Sequence, residues 1–424
     1  MILKVRFPSI RFVGMAALTV AGASCSESLV PPETSPEPIR IAGTRAATGP
    51  LRPDGLNMER GFSLAVDMLN EAGGIDGREV RLIMYNDNGD PHTAANIYQE
   101  LMRTDSVHLL IGPYASSVTN AVVPVTEAAA RPLITPAAAA HEIWGGQNRQ
   151  WSVQMMNNAR DNLAGAVVVA ARQGARKVAL VYENSRFPVS AAGGVRDVAA
   201  EQGLELVMDE AYPVGGADHA ALVARARDLG ADFLLGGGYT EDALAFTRAV
   251  AEADYHPLLT SWSVGPGEPD FPDRVGTELA RCVIGNAPWV ASLGTAGLLT
   301  TSGVFVQRYE TAYGLAPGYT AAAGFGAIEL LAEAARASLS ETGEISDVAV
   351  RDHLFSTSTE TVLGPFGVAP LGESDAGSQR RLVRLQLQWQ DDGEGGLVQR
   401  VIYPDGEAEA DACTNPPRAT VGAR

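Results

Sequence analysis

The residues with the clearest capacity for chemistry are two adjacent hydroxyls, Ser116 and Ser117, within the stretch His108–Ala140. They follow an apolar run, Leu109–Ile111, and the break Gly112-Pro113, and they open an apolar helical pattern. Hydroxyls beside the unpaired N–H groups of a helix start suit a carboxylate or another anion. They suit simple N-capping equally well, and the residues alone leave both readings open. Catalytic patterns are missing. There is no G-x-S-x-G elbow and no H-E-x-x-H. His141-Glu142-Ile143-Trp144-Gly145 lacks a second histidine, and Gly236-Gly237-Gly238 is not followed by a phosphate-loop lysine. Binding is expected, not catalysis, with no metal and no cofactor.

Around the serines the pattern reads strand, loop, helix, strand, loop. Arg131-Pro132 stops the helix, Leu133–Ile134 forms a second short apolar run, and Thr135-Pro136 ends it. Both loops then lie at the carboxyl ends of parallel strands, where open α/β sheets bind ligands. The same alternation runs through most of the chain. Ile39–Ala42, Val80–Tyr85 and Leu109–Ile111 read as strands, with helical spacing over Met58–Leu69 and Thr93–Arg103 between them. After the polar break from Asn157 to Asp161 a second alternating series starts afresh, including Val178–Tyr182, Phe233–Leu235 and Leu258–Thr260. Strands separated by helices of this length predict parallel sheets with right-handed crossovers, in two lobes with separate cores. The alternating run Arg381–Trp389 and the run Leu397–Tyr403 predict a closing hairpin.

With 424 residues, 46% of them hydrophobic and 19% charged, the chain can fill two sizeable cores. The formal charge of −18 and the lack of a basic cluster exclude nucleic acid as an expected partner. Lys4, Arg6 and Arg11 precede a short apolar run, Phe12–Ala23, as in a secretory signal too short to span a membrane stably. The stretch ending Ala23-Ser24-Cys25 resembles a bacterial lipoprotein signal, with Cys25 the acylated residue, although Gly22 stands where leucine is commoner. Cleavage there removes three positive charges and leaves −21. The segment from Ser26 to Pro38, rich in proline, serine and glutamate, reads as a tether. Cys282 and Cys413 then remain, either as one disulfide or as two free thiols.

Several markers, in order and spacing, carry a resemblance to a known family: ATGPLRPDG, NEAGGIDGREVRLIMYNDNGDP, GPYASSVTNAVVPVTEAAARPLITPAAAA, GADFLLGGGYTEDALAFTRAVAEA and TVLGPFGV. From about Ile39 to Tyr403 the chain resembles the type I periplasmic substrate-binding proteins, and within them the branched-chain amino-acid receptors of ABC transporters. The resemblance implies two Rossmann-like α/β lobes joined by three hinge crossings near Val153–Asn158, Gly285–Pro288 and Val362–Phe366. Lobe one would hold 39–155 and 287–362, and lobe two 156–286 and 363–405, with 406–424 a C-terminal tail. It implies a monomer that closes on a small ligand, amino acid, amide or organic acid, and presents it to ABC transporter membrane subunits. The lipid anchor would face the periplasm, and Ser26 after the cysteine leans towards the outer membrane.

The resemblance also places a site. Ser116 matches the serine that binds the ligand carboxylate, with Ser117 adjacent. Ala137, Ala138 and Ala139 match two backbone contacts and a threonine, so that the hydroxyl is replaced by Ala139. That loss would remove one anion contact of roughly 1.5–3 kcal/mol. Tyr239 matches the tyrosine of the second lobe, and Phe187 falls where an aromatic closes over the ligand. The acid that pairs with an amino group falls near Ser261–Ser263, where Trp262 stands and no carboxylate does. Glu241, Asp242, Glu268 or Asp54 could supply the negative charge. Trp262, Phe187, Tyr114 and Tyr239 would line the pocket, unless they are core residues. The alternative use of such a fold is a regulatory or scaffolding envelope lipoprotein that binds a protein partner.

Overall fold

The structure, a computed structural model, describes residues 36–103 and 106–415. The signal-like segment and Cys25 lie outside them. Two sheets organise the chain. The first holds five parallel strands in the order β2-β1-β3-β4-β5: β1 Ile39–Arg45, β2 Val80–Asn86, β3 Leu109–Ile111, β4 Leu133–Thr135 and β5 Ser152–Gln154. Strands β3, β4 and β5 are buried at every position, and β3 and β4 accordingly read as short, mainly apolar runs rather than as an alternation, while β5 buries Ser152 and Gln154 beside Val153. The second sheet contains β6 Lys177–Glu183, β7 Glu205–Tyr212, β8 Phe233–Gly237, β9 Leu259–Trp262 and β10 Val283–Ala287, all parallel. The small hairpin of β11 Thr359–Thr361 and β12 Gly364–Phe366 stands apart from both sheets. Antiparallel strands β13 Leu385–Asp391 and β14 Leu397–Tyr403 extend the second sheet next to β10.

Helices cover the sheets because their apolar residues fall on one face. In the helix Arg52–Glu71, Met58, Phe62, Ala65, Val66 and Leu69 are buried, a stripe at helical spacing. This helix crosses Tyr319–Thr342 at glycines on both sides. A Cβ on Gly61 would lie 2.0 Å from the Ala321 carbonyl, and one on Gly324 would lie 2.3 Å from that of Met58. Only glycine permits that approach. The helix Pro91–Met102 starts where Asp90 Oδ1 accepts from Thr93 N at 2.7 Å.

Two details differ from the sequence expectation. The hairpin strand begins at Leu385, not Arg381. The chain also stays with the first sheet well beyond Phe366. Gln154 N donates to the Gly377 carbonyl at 2.8 Å, Asn148 N to that of Ser374 at 2.8 Å, and Gln379 Nε2 to that of Met155 at 3.1 Å. The step to the second sheet is made by residues 381–384, which therefore cannot be strand.

Cys282, just before β10, is joined to Cys413 across a sequence separation of 131 residues. Gln388 holds the same tail segment from β13: its Nε2 donates to the Cys413 carbonyl, and its Oε1 accepts from Cys413 N, both at 2.7 Å.

Candidate functional site

A small cavity lies between the two sheets, at the strand ends where open α/β sheets bind ligands. The loops after the carboxyl ends of the strands build it. Tyr114, Ala115 and Ser116 follow β3, and Ala137 and Ala139 follow β4. From the other side come Phe187 after β6, Tyr239 after β8, Val264 after β9 and Pro288 after β10. Tyr319 enters from the start of the helix Tyr319–Thr342. The remaining wall is made by the chain crossings: Met156, Asn157, Asn158 and Asn162, then Asn286, then Arg384.

The aromatic part is contiguous. Tyr239 meets Tyr114 edge-on at 6.4 Å and Phe187 at 6.1 Å, so rings from both lobes close on one another. Burial pushes the hydroxyls of Tyr114, Tyr239 and Tyr319 well above their ordinary value, and all three stay protonated donors.

Ser116 is buried in the wall. Its Oγ accepts from Ala139 N and from Ala140 N, each at 3.1 Å, and so pins the loop after β4 to the helix Ser116–Ala128. The preceding Ala115 takes a φ of +76°, a left-handed value that costs a non-glycine residue about 1–2 kcal/mol. That strain sets the entry of the helix. Ser116 thus organises the pocket wall and keeps one O–H to donate inwards. Its neighbour Ser117 points across the lobes, where its Oγ accepts from Arg186 N at 3.4 Å.

The alanine loop is partly committed elsewhere. Ala138 does not line the cavity, and its carbonyl accepts from Trp144 Nε1 at 3.2 Å and Gln154 Nε2 at 3.0 Å. The Ala139 carbonyl accepts from Ala159 N at 2.7 Å. Trp262, a candidate lining residue, is instead a core residue of the second lobe. It is 2% exposed, stacks on Phe246 at 5.1 Å, and donates from Nε1 to Thr247 Oγ1 at 2.9 Å. Alternation along β9 turns its ring towards the helix Thr240–Glu252.

None of the candidate acids lines the cavity. Asp242 caps its own helix by accepting from Tyr239 N at 3.2 Å, and Glu241 pairs with Arg274. Asp54 and Glu268 occupy a seam between the lobes. Asp54 Oδ1 accepts from Thr240 Oγ1 at 2.9 Å, and Glu268 Oε1 accepts from Thr320 Oγ1 at 2.8 Å. Each residue is 2% exposed, and Asp54 Oδ2 and Glu268 Oε2 are buried with no hydrogen-bond partner among the described residues. Burial pushes the Asp54 carboxyl up to about 6 and that of Glu268 up to about 8, and the charge of Asp54 adds to the latter shift.

Sequence reading missed the crossing wall. There Asn157 Nδ2 donates to the Leu382 carbonyl at 2.7 Å, and Asn162 Nδ2 donates to Asn286 Oδ1 at 2.6 Å. Asn286 Nδ2 reaches the Leu385 carbonyl at 3.2 Å. Arg384 Nη2 lies 2.5 Å from Asp161 Oδ2. These contacts tie the three crossings together. The only signal in the sequence was the polar break at Asn157–Asp161.

Two lobes of parallel strands, three crossings and a cavity at the strand ends are the architecture of a solute-binding protein. The periplasmic binding protein family model matches residues 38–385, and the chain belongs to that family. Proteins of this family are extracytoplasmic solute-binding proteins and not enzymes, and several relatives of the chain are named for branched-chain amino acids. A Leu/Ile/Val-binding protein homolog from Brucella abortus is 28% identical over 387 residues, 88% of this chain and 92% of the relative. Among solved structures, the Streptococcus pneumoniae branched-chain amino acid transporter substrate-binding protein, in complex with isoleucine, superposes with a TM-score of 0.70. It is 20% identical, with 87% of this chain and 100% of the other covered. A Rhodopseudomonas palustris solute-binding protein in complex with benzoate superposes with a TM-score of 0.74. It is 18% identical, with 89% and 99% covered.

Proposed function

We propose that this chain captures a small organic acid with an aromatic or branched apolar body between its lobes and delivers it to an ABC permease. The observation that carries the reading is the composition of the cavity wall. It has four aromatic rings, four carboxamides and one arginine, and among the described residues no carboxylate. An α-amino acid brings an ammonium group, which needs a countercharge once desolvated. A carboxylic acid lacking the ammonium needs no carboxylate in the wall, and the arginine supplies the countercharge for its own acid group. Benzoate in the Rhodopseudomonas palustris neighbour, and 4-hydroxybenzoate in another from that organism, support an acid of this class. The scaffolding alternative draws no support from a cavity lined by polar and aromatic residues of both lobes.

Closure supplies the mechanism. Ligand contacts on both lobes stabilise the closed arrangement, and the permease reads that arrangement. We place the lobe boundaries at 39–155 plus 288–380 and 156–287 plus 385–405, with the third crossing at 381–384. Acylation of Cys25 would tether the mature protein to the periplasmic face of an envelope membrane. Serine at this position would move the protein from the membrane to the soluble fraction.

A thermal-shift screen tests the ligand class with benzoate, 4-hydroxybenzoate, branched-chain 2-oxo acids, α-amino acids and amides. At a hundredfold excess over the dissociation constant a true ligand adds about 2.7 kcal/mol of stability. Acids should raise the melting temperature and their α-amino counterparts should not. Stabilisation by amino acids alone would refute the organic-acid reading.

A further inference from the structure

Resting on the organic-acid reading, we infer that Arg384, on the third chain crossing, is the residue that receives the ligand's carboxylate, so that the acid end points at the hinge. The expected acceptor was the serine loop on the opposite part of the wall. Three observations favour the arginine.

Charge comes first. Arg384 is the one charged side chain among the residues lining the cavity, in a chain whose formal charge of −18 otherwise opposes an anion. An anion entering this space finds its only full countercharge there.

Donor capacity comes second. A guanidinium carries five N–H donors arranged in two edges. Its ion pair is between Nη2 and one Asp161 oxygen, Oδ2, at 2.5 Å. One monodentate partner leaves the other nitrogens to form the paired bonds that carboxylates accept from arginine. Ser116, in contrast, already spends its oxygen on Ala139 N and Ala140 N. It retains a single donor and no charge.

Placement comes third. Arg384 shares the hinge end of the wall with Asn157, Asn162 and Asn286, whose carboxamides are engaged between crossings. Tyr114, Phe187 and Tyr239 form the apolar part on the strand-end loops. A molecule with a carboxylate at one end and a ring or branched chain at the other matches that polarity. Asp161 then acts as the competitor that the ligand must share the guanidinium with. Burial pushes its carboxyl up, against the pull of Arg384, Arg160 and His141, which lowers the cost of a second acid nearby.

The experiment is calorimetric titration of the full-length mature protein with benzoate, 4-hydroxybenzoate and 4-methyl-2-oxopentanoate, and with neutral benzamide as the reference. Variants are Arg384→Gln, Arg384→Lys, Asp161→Asn and Ser116→Ala, each checked by its melting curve. Arg384→Gln should weaken acid binding by about 10- to 100-fold, the span of a charge-assisted hydrogen bond. It should also erase the preference for acid over amide. Arg384→Lys should restore part of that preference. Asp161→Asn should tighten acid binding several-fold by freeing the guanidinium. An Arg384→Gln protein that binds acids within threefold of wild type overturns the inference and leaves the organic-acid reading standing. The same holds if Ser116→Ala takes the loss instead. Wild-type protein that binds no acid overturns both. Should Arg384→Gln fail to fold, Asp161→Asn decides: tighter acid binding supports the assignment, and unchanged or weaker binding overturns it.

Discussion

At the hinge end of the cleft, Asn157, Asn162 and Asn286 join the chain crossings through neutral carboxamides, and most of their polar atoms have partners. At the seam beside the rings, Asp54–Thr240 and Glu268–Thr320 join the lobes through carboxyls, and each acid keeps one buried oxygen without a partner among the described residues. The hinge bonds connect segments that stay adjacent when lobes rotate about the crossings. In the closure proposed above, the seam bonds connect residues that part. The difference teaches where the protein invests stability and where it invests a switchable contact. Neutral groups make most of the bonds at the pivot and do not titrate, although Asn162 Oδ1 is also buried without a partner among the described residues. Half-satisfied acids give the closing surface a cost that depends on their protonation.

The strongest way to break this comparison is at the pivot. Asn286 is 8% exposed and bridges Asn162 to the Leu385 carbonyl. Asn286→Ala strips the partner from one donor and one acceptor in a confined place. The expected cost is about 2–4 kcal/mol of folding stability, measured by urea unfolding. A loss below about 1 kcal/mol would mean that the carboxamide lattice does not carry the hinge.

Much of this frame was legible in the sequence, and the exceptions have physical causes. Strands such as Leu109–Ile111 and Phe233–Leu235 are buried on both faces and announce themselves as apolar runs between helical patterns. The Ser116 loop was placed by the same logic, because strand ends at a parallel sheet converge on one cleft. Arg384 was hidden by periodicity. Within Arg381–Trp389 it occupies the polar phase of an apparent alternating strand, which reads as solvent-facing. Only the crossing at 381–384, fixed by Gln379 and Gln154 far away in sequence, turns it inwards. Trp262 failed for the opposite reason. Its place near a strand end suggested the cleft, but which face of β9 it occupies depends on the helix packed there. Glu268 was visible as an acid and not as a bridge, since Thr320 lies 52 residues away.

The seam predicts a pH dependence of intermediate size. Burial between lobes holds Asp54 at about 6, from an ordinary 3.8, and Glu268 at about 8, from an ordinary 4.5. Arg274 pulls Asp54 down, while Asp270 and Glu241 reinforce the rise, and Asp270 also raises Glu268. Both pKa values are raised in the closed form, so closing takes up protons. The contribution is fully present below the open-state values near 4 and is lost as pH rises through about 6 and then about 8. Affinity for a non-titrating ligand such as an amide should therefore fall by about tenfold or more between pH 6 and 9. Binding is a better readout than melting, because buried Glu329, at about 7, adds its own pH dependence to folding. The double variant Asp54→Asn with Glu268→Gln should flatten the profile. A flat profile in wild type would remove the distinction between seam and hinge.

The smallest effect sharpens the comparison most finely, because it changes the seam without changing its charge. Thr240→Val and Thr320→Val each delete one hydroxyl donor and nearly preserve the shape of the side chain. Each substitution removes a hydrogen bond across the lobes and leaves one more carboxyl oxygen unpaired. About 1–1.5 kcal/mol per bond corresponds to a five- to tenfold shift towards the open form, which X-ray scattering of the ligand-free protein would show as a larger radius of gyration. The two losses should be additive only if the acids act independently. The charge of Asp54 raises the Glu268 carboxyl, so opening one bridge also relieves the other. The double variant should consequently open less than the sum of the two singles. Strict additivity would show two separate contacts in place of one coupled seam.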